Sequence, residues 1–344
     1  MKRPYIIAEI GVNYYDIATQ YKISIIEAAK LMISKAKESG ANAVKFQSYK
    51  ANKIASKNSP SYWDLTKEKT KNQYELFKKY DKFGEKEYIE IFNYCQEIKI
   101  DFMSTPFDLD AIDYLDKLVK IHKISSSDIT NYPLLKKIAQ TNKKILLSTG
   151  ASNMDEIKKA TQIIENEGNK DIVLMHCVLN YPTLNSNTHL NMINDLKKFK
   201  YEVGYSDHTL PDENMLILSS AVIMGATWIE KHFTLDKTLP GNDHYHAMDP
   251  NDLDKFNKNL NLLEEIMGEN SKHCLPTEEV SRLNARRSVY VNSNLSKGKI
   301  LKKEDLICKR PASGICASNF EDLIGKKLNQ DIKEDTALQW KILE

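Results

Sequence analysis

The sequence predicts an α/β protein: a (β/α)8 TIM barrel followed by a small C-terminal domain. Three observations carry that expectation. Short apolar runs alternate with helix-period segments eight times within the first 268 residues, which implies a parallel sheet with helices packed outside it. Eight units at this length suit a closed barrel. No G-x-G-x-x-G follows the first apolar run and no P-loop occurs anywhere, which counts against an open doubly wound sheet.

The elements follow in order. Residues 5–10 are a short apolar strand. Ser24 and Glu27 form a capping box, and Ile25, Ala28, Ala29, Met32, Ile33 and Ala36 follow at helical spacing until Gly40 stops the helix. Further strands are expected at 41–46, 100–104, 119–124, 144–147, 172–177, 202–205 and 227–232. The intervening helices are expected at 85–96, 108–118, 132–140, 152–165, 189–199 and 212–224. Asp249-Pro250 opens the last, with an apolar stripe of Leu253, Phe256, Leu260, Leu263 and Met267. One unit is irregular: segment 49–83 is long, polar and Lys-rich, so it is either a lid or binding loop or a solvated insertion. After Gly268 a polar linker covers 269–283, and 284–344 reads as a separate compact module.

Composition narrows the function. Hydrophobic residues make up 41% and charged residues 28%, enough for a large core. Forty-nine basic residues against 47 acidic ones leave a net charge of +2, with no basic patch for nucleic acid. The longest apolar run, 215–229, is broken by Ser219, Ser220 and Gly225 and is too short to span a bilayer. The amino terminus carries no signal-peptide pattern. Five cysteines without a C-x-x-C pair point to reduced thiols in a cytoplasm and to no structural zinc. Cys177 reads as a small buried residue at a strand end rather than a nucleophile.

Chemistry in a barrel sits at the C-terminal ends of the strands, and all eight expected exits are polar. In order they carry Glu9; Lys45 and Gln47; Ser104 and Thr105; Lys123 and Ser125 to Ser127; Ser148 and Thr149; His176, Asn180 and Tyr181; Ser206, Asp207 and His208; and Glu230, Lys231 and His232. Lys45 and Lys123, with the Ser/Thr pairs, can surround a phosphate or carboxylate. His208 and His232, on neighbouring strand ends, are a candidate pair for Mn²⁺, Zn²⁺ or Fe²⁺. Asp243, His244 and His246 belong to a loop on the same rim.

These residues carry a resemblance. Glu9-Ile10-Gly11-Val12-Asn13, Lys45-Phe46-Gln47, Ser104-Thr105-Pro106-Phe107, Lys123-Ile124-Ser125-Ser126, Ser148-Thr149-Gly150, Tyr181-Pro182-Thr183, Gly204-Tyr205-Ser206-Asp207-His208-Thr209 and Glu230-Lys231-His232-Phe233 occur in order. The whole chain resembles the sialic acid (N-acetylneuraminate) synthase family. Its tail, with Lys309-Arg310-Pro311, Gly314-Ile315 and Gly325-Lys326-Lys327, resembles that family's antifreeze-like (SAF, β-clip) domain.

The resemblance implies an enzyme that condenses phosphoenolpyruvate with an N-acetylated aldose, such as N-acetylmannosamine, and water, giving a nine-carbon 2-keto acid and phosphate. It implies that Lys45, Thr105, Lys123, Ser126, Ser148, Ser206 and His208 hold phosphoenolpyruvate. His208 and His232 would hold Mn²⁺ or Mg²⁺, and Glu9 would move protons at the reacting carbons. Gln47, Asn180, Tyr181 and Asp243 would meet the sugar. Arg310 would reach the N-acetyl group from the other chain of a homodimer with exchanged tail domains. The chain departs from the family pattern at Tyr14-Tyr15-Asp16, at Val178, at Asn180 and in loop 242–249. All four lie where the sugar should bind, so legionaminic or pseudaminic acid synthesis from a 2,4-diacetamido-2,4,6-trideoxyhexose remains open. Two other classes stay in view: a Schiff-base aldolase using Lys123, and a non-catalytic carbohydrate-binding protein.

Overall fold

The computed structural model describes residues 2–344. The chain divides into two compact units, one ending at Gly268 and one beginning at Glu269. The first is a (β/α)8 barrel. Its strands are β1 (Tyr5–Gly11), β2 (Ala43–Ser48), β3 (Asp101–Pro106), β4 (Ile121–Ile124), β5 (Lys144–Ser148), β6 (Ile172–His176), β7 (Glu202–Asp207) and β8 (Trp228–His232). They form one parallel sheet in the order β3-β2-β1-β8-β7-β6-β5-β4, and β4 packs back beside β3.

Strand parity decides what each residue faces, because successive side chains point to opposite sides of a sheet. Ile6, Ala8, Ile10, Val44, Phe46, Phe102, Ile124, Ile145, Leu147, Leu174, Val203, Tyr205 and Ile229 belong to the large core under the helices. Ile7, Ala43, Met103, Leu146, Val173, Met175 and Trp228 form a second cluster that fills the barrel interior. Gly204 is needed there: a Cβ on it would lie 2.2 Å from Met175 Sδ and 2.8 Å from the Trp228 carbonyl oxygen. The next inward positions toward the strand C-termini are Glu9, Lys45, Thr105, Lys123, Ser148, Ser206 and Glu230. The site is therefore the polar continuation of the interior face.

Helix signals behave as local chemistry dictates. Ser24 caps Ile25–Glu38 in a reciprocal box with Glu27, burying Ala28, Ala29, Met32, Ile33 and Ala36. Asp249 caps Pro250–Met267. The helix expected at 152–165 is Met154–Asn166, capped by Asn153 rather than Ser152. The helix expected at 212–224 starts only at Leu216: the Asp212 carboxylate accepts from the Asn214 and Leu216 amides, and Met215 turns left-handed at φ 49°. The helix expected at 189–199 shrinks to Met192–Leu196 plus a 3₁₀ turn, Lys197–Phe199. Residues after Asn13, where no helix was expected, form the helix Tyr14–Tyr21, with Tyr14, Tyr15, Ile17 and Ala18 buried. Segment 49–83 contains two short helices, Ala51–Ile54 and Gln73–Lys79.

The C-terminal unit opens with Pro276–Glu278 and the helix Glu279–Ala285, inside and just beyond the stretch expected as linker. Strands β9 (Ser288–Val291) and β10 (Leu306–Lys309) then pair antiparallel. This unit has its own core, including Val289, Val291, Leu301, Leu306, Leu323, Leu328 and Leu338. Among the described residues no helix is long and apolar enough to cross a membrane.

Candidate active site

The strand C-termini open into a cavity of about 410 Å³. Of the residues expected from sequence, it gathers Glu9, Lys45, Gln47, Thr105, Lys123, Ser126, Ser148, Tyr181, Ser206, His208, His232 and Asp243. Asn180 is a correction: it is exposed and does not line the cavity, and its carbonyl accepts from the Thr183 hydroxyl. Four residues past the end of β6, strand parity no longer aims a side chain inward. Arg310 is exposed in the C-terminal unit.

Two buried lysines dominate the floor. Lys123 Nζ lies 3.4 Å from Glu230 Oε1, and Lys45 Nζ lies 3.8 Å from the same atom. Lys45 also pairs closely with Glu9 and donates to Thr105 Oγ1 at 3.1 Å. Ser206 donates to Glu230 Oε1 at 2.9 Å, and Gln47 donates to Glu9 Oε1 at 3.1 Å. Burial pushes the Glu9 carboxyl up, and the neighbouring Glu230 charge adds to that; Lys45 and Gln47 only partly offset it. For Glu230, burial also opposes ionisation, but Lys123, Lys45 and Ser206 more than compensate and hold it low. Two carboxyls on one floor are thus driven apart, Glu9 toward a proton carrier and Glu230 toward a fixed anion. Ser148 Oγ and Glu230 Oε2 are buried without hydrogen-bond partners, unusual for polar groups unless a ligand completes them.

Glu230 was visible in the sequence only as a polar exit. Its place between the two lysines follows from parity, since it lies two residues before His232 on the same face. Asp207 and Lys231 have the opposite parity. They form a fully buried pair at 2.5 Å outside the barrel wall, where Asp207 also accepts from the Tyr205 hydroxyl and from the Thr209 amide and hydroxyl. They support the β7 and β8 ends rather than meet a ligand.

His208 and His232 stand at the rim with ring centroids 5.8 Å apart. His208 Nδ1 donates to the Val178 carbonyl at 2.7 Å, which leaves Nε2 with its lone pair free. Burial pushes the His208 imidazole down to about 4 and His232 well below its usual value, so both are neutral, the form that ligates metal. Among the described residues no three His, Cys, Asp or Glu side chains are already drawn into metal-ligating geometry. A pair of neutral imidazoles, with His208 Nε2 free to coordinate, nevertheless fits a divalent ion whose other positions are left to oxygen ligands of water or substrate.

The opposite wall is aromatic. Tyr49, Tyr62, Trp63, Phe77 and Tyr80, all from segment 49–83, line the cavity. Trp63 Nε1 donates to the Thr70 carbonyl at 3.0 Å. The Gly241 amide donates to the Lys67 carbonyl at 3.2 Å, and Lys67 Nζ sits 5.4 Å from the Tyr245 ring centroid. Tyr245 in turn donates to the Tyr181 carbonyl at 2.9 Å. Segment 49–83 and loop 242–249 are thereby fastened together over the mouth. Sequence reasoning left Tyr62 and Trp63 unassigned, because their segment has no periodicity from which to read a direction.

The model of the NeuB family matches residues 32–272, and that of the SAF domain matches residues 286–344. An N,N'-diacetyllegionaminic acid synthase of Campylobacter jejuni is 38% identical, covering 98% of this chain and 100% of that one. An N-acetylneuraminate-9-phosphate synthase of Drosophila melanogaster is 33% identical, covering 96% of this chain and 93% of that one. The crystal structure of an N-acetylneuraminic acid (sialic acid) synthetase from Leptospira borgpetersenii, in complex with citrate, is 31% identical, with a TM-score of 0.68 over 81% of this chain and 90% of that one.

Proposed function

This chain belongs to the NeuB family, and we propose that it is a nonulosonic acid synthase joining phosphoenolpyruvate to an N-acetylated aldose. The observation that carries the reading is the floor: two buried lysines share one carboxylate beside an unpartnered serine hydroxyl. Such a site is made for a small, highly charged anion. Lys45 and Lys123 meet the phosphate and carboxylate charges, and Thr105, Ser126, Ser148 and Ser206 supply hydroxyls around them. Gln47, Tyr181 and Asp243 face the sugar, with Tyr62 and Trp63 closing the far wall.

In the reaction, C3 of phosphoenolpyruvate bonds to the aldehyde carbon, water adds at C2, and phosphate leaves with the C–O bond pair. Glu9 is placed to take and return the protons: it is buried, raised, and oriented by Lys45 and Gln47. His208 and His232 would hold Mn²⁺ or Mg²⁺, which when bound supplies Lewis-acid polarisation of the aldehyde oxygen. The acceptor we favour is a 2,4-diacetamido-2,4,6-trideoxyhexose. The Campylobacter relative named for N,N'-diacetyllegionaminic acid is the more similar of the two synthases compared, at 38% against 33%.

The test is phosphate release from phosphoenolpyruvate with Mn²⁺, run against 2,4-diacetamido-2,4,6-trideoxyhexoses, N-acetylmannosamine, its 6-phosphate and no sugar. Release that requires the diacetamido sugar, stops with chelator and returns with Mn²⁺ is expected. Release with N-acetylmannosamine alone overturns the acceptor and keeps the reaction. Folded, metal-loaded protein that releases no phosphate with any of them overturns the proposal.

A further inference from the structure

Loop 242–249 carries two histidines with opposite situations. His244 is engaged on both sides: Nδ1 meets Thr234 Oγ1 at 2.8 Å and Nε2 meets Asp16 Oδ2 at 3.3 Å. His246 is fully buried, yet neither of its ring nitrogens has a hydrogen-bond partner; among the described residues it is the one histidine in that state. A buried imidazole with both nitrogens idle is costly unless it has a task. Its ring lies edge-on to His232, 4.8 Å between centroids, and it does not line the cavity. One carboxylate approaches a nitrogen of each ring. Asp243 Oδ1 is 3.8 Å from His246 Nε2, and Asp243 Oδ2 is 3.8 Å from His232 Nδ1, the nitrogen that itself lacks a partner. Each gap is about 1 Å longer than a charge-assisted hydrogen bond, so the carboxylate is near both nitrogens and bonded to neither.

We propose that His246 is a positioning residue for the metal site: it donates from Nε2 to Asp243, whose other oxygen accepts a hydrogen bond from the Nδ1–H of His232 and so leaves His232 Nε2 as the ligating atom. His208 already has the equivalent arrangement, with its Nδ1 proton on the Val178 carbonyl. A carboxylate behind a ligating imidazole fixes its tautomer and orientation and raises its basicity, and such outer partners typically change metal affinity about 10–100-fold. The inference rests on the metal-dependent reading above and deepens it.

The experiment measures Mn²⁺ binding to the substrate-free full chain by calorimetry, together with the visible spectrum of the Co²⁺ form. His246→Leu removes the donor, whereas His246→Gln keeps an N–H at similar reach. Circular dichroism and thermal midpoint establish that each variant is folded. We expect His246→Leu to bind Mn²⁺ about tenfold or more weakly with an altered Co²⁺ spectrum, and His246→Gln to recover most of both. Should His246→Leu misfold, Asp243→Asn tests the same relay and should show the same loss. Unchanged Mn²⁺ affinity in folded His246→Leu overturns the inference while the metal-dependent reading stands. Loss of affinity in His246→Gln equal to that in His246→Leu also overturns it, since the imidazole would then be needed as a ligand. Wild-type protein that binds no Mn²⁺ overturns both.

Discussion

Replacing Lys123 by Met separates an anion-binding lysine from a nucleophilic one. The change keeps the aliphatic stem that packs in the barrel mouth and removes only the charge. Glu230 is not orphaned by it, because Lys45 remains at 3.8 Å and the Ser206 hydroxyl at 2.9 Å. The floor, however, goes from two cations against the Glu230 anion to one. Phosphoenolpyruvate brings both a carboxylate and a phosphate to that floor. Opposite charges about 4 Å apart are worth ~4 kcal/mol at an effective dielectric of about 20, and a charge-assisted hydrogen bond about 1.5–3 kcal/mol net. A loss of ~2–3 kcal/mol corresponds to roughly 30–150-fold in kcat/KM for phosphoenolpyruvate. Most of it should fall on KM, since the lysine meets charge already present in the ground state. Phosphate release at saturating acceptor measures it, and Lys123→Arg should recover part. A change under about threefold would refute the anion role. Complete loss at every phosphoenolpyruvate concentration, with borohydride trapping of a substrate adduct on wild-type Lys123, would instead establish Schiff-base chemistry.

Two further predictions concern the frame around the site. Lys231→Met leaves Asp207 as an unpaired charge in a side-chain environment that is 2% exposed, so urea unfolding of the barrel should show a loss of about 3–5 kcal/mol. Asp207→Asn combined with Lys231→Met should cost less than Lys231→Met alone, and a single-mutant loss under about 1 kcal/mol would mean the pair is not desolvated as described. His176 is held neutral: burial pushes its imidazole below the usual value, although Nε2 donates to the Thr188 carbonyl at 2.9 Å. With the folded value depressed, its contribution is intact above the unfolded pKa near 6.5 and declines as pH falls below that, by at most about 1.4 kcal/mol per pH unit. His176→Gln keeps a donor and removes the titration, so its urea midpoint should fall less than wild type between neutral pH and pH 5. Parallel curves for the two proteins would contradict the assignment.

Most of the floor was legible from sequence, for a specific reason. In a parallel barrel the last residues of each strand form the mouth, and alternation fixes which of them point inward. Glu9, Lys45, Thr105, Lys123, Ser148 and Ser206 could therefore be placed from eight local patterns. The same alternation separates Glu230, inside between the lysines, from Asp207, outside with Lys231. It runs out a few residues past a strand, and Asn180 is the case in point. Helix starts were legible where a side chain caps the helix by itself, as Ser24 and Asp249 do. They were not where a turn competes, as the Asp212 carboxylate does by delaying the next helix to Leu216.

The sequence by itself determined the repeating α/β order, the inward register of the strands and the cations at their ends, because these depend on neighbours only a few residues away. The tertiary structure decided what closes the mouth. Tyr62 and Trp63 reach the cavity because segment 49–83 is tied to loop 242–249 through Gly241, Lys67 and Tyr245. His246 lies beside His232 because loop 242–249 returns to the end of β8, where Asn13 Nδ2 donates to both the Phe233 and Asp243 carbonyls. Those contacts join residues far apart in the chain across non-periodic loops, and no local pattern encodes the direction in which such a loop folds.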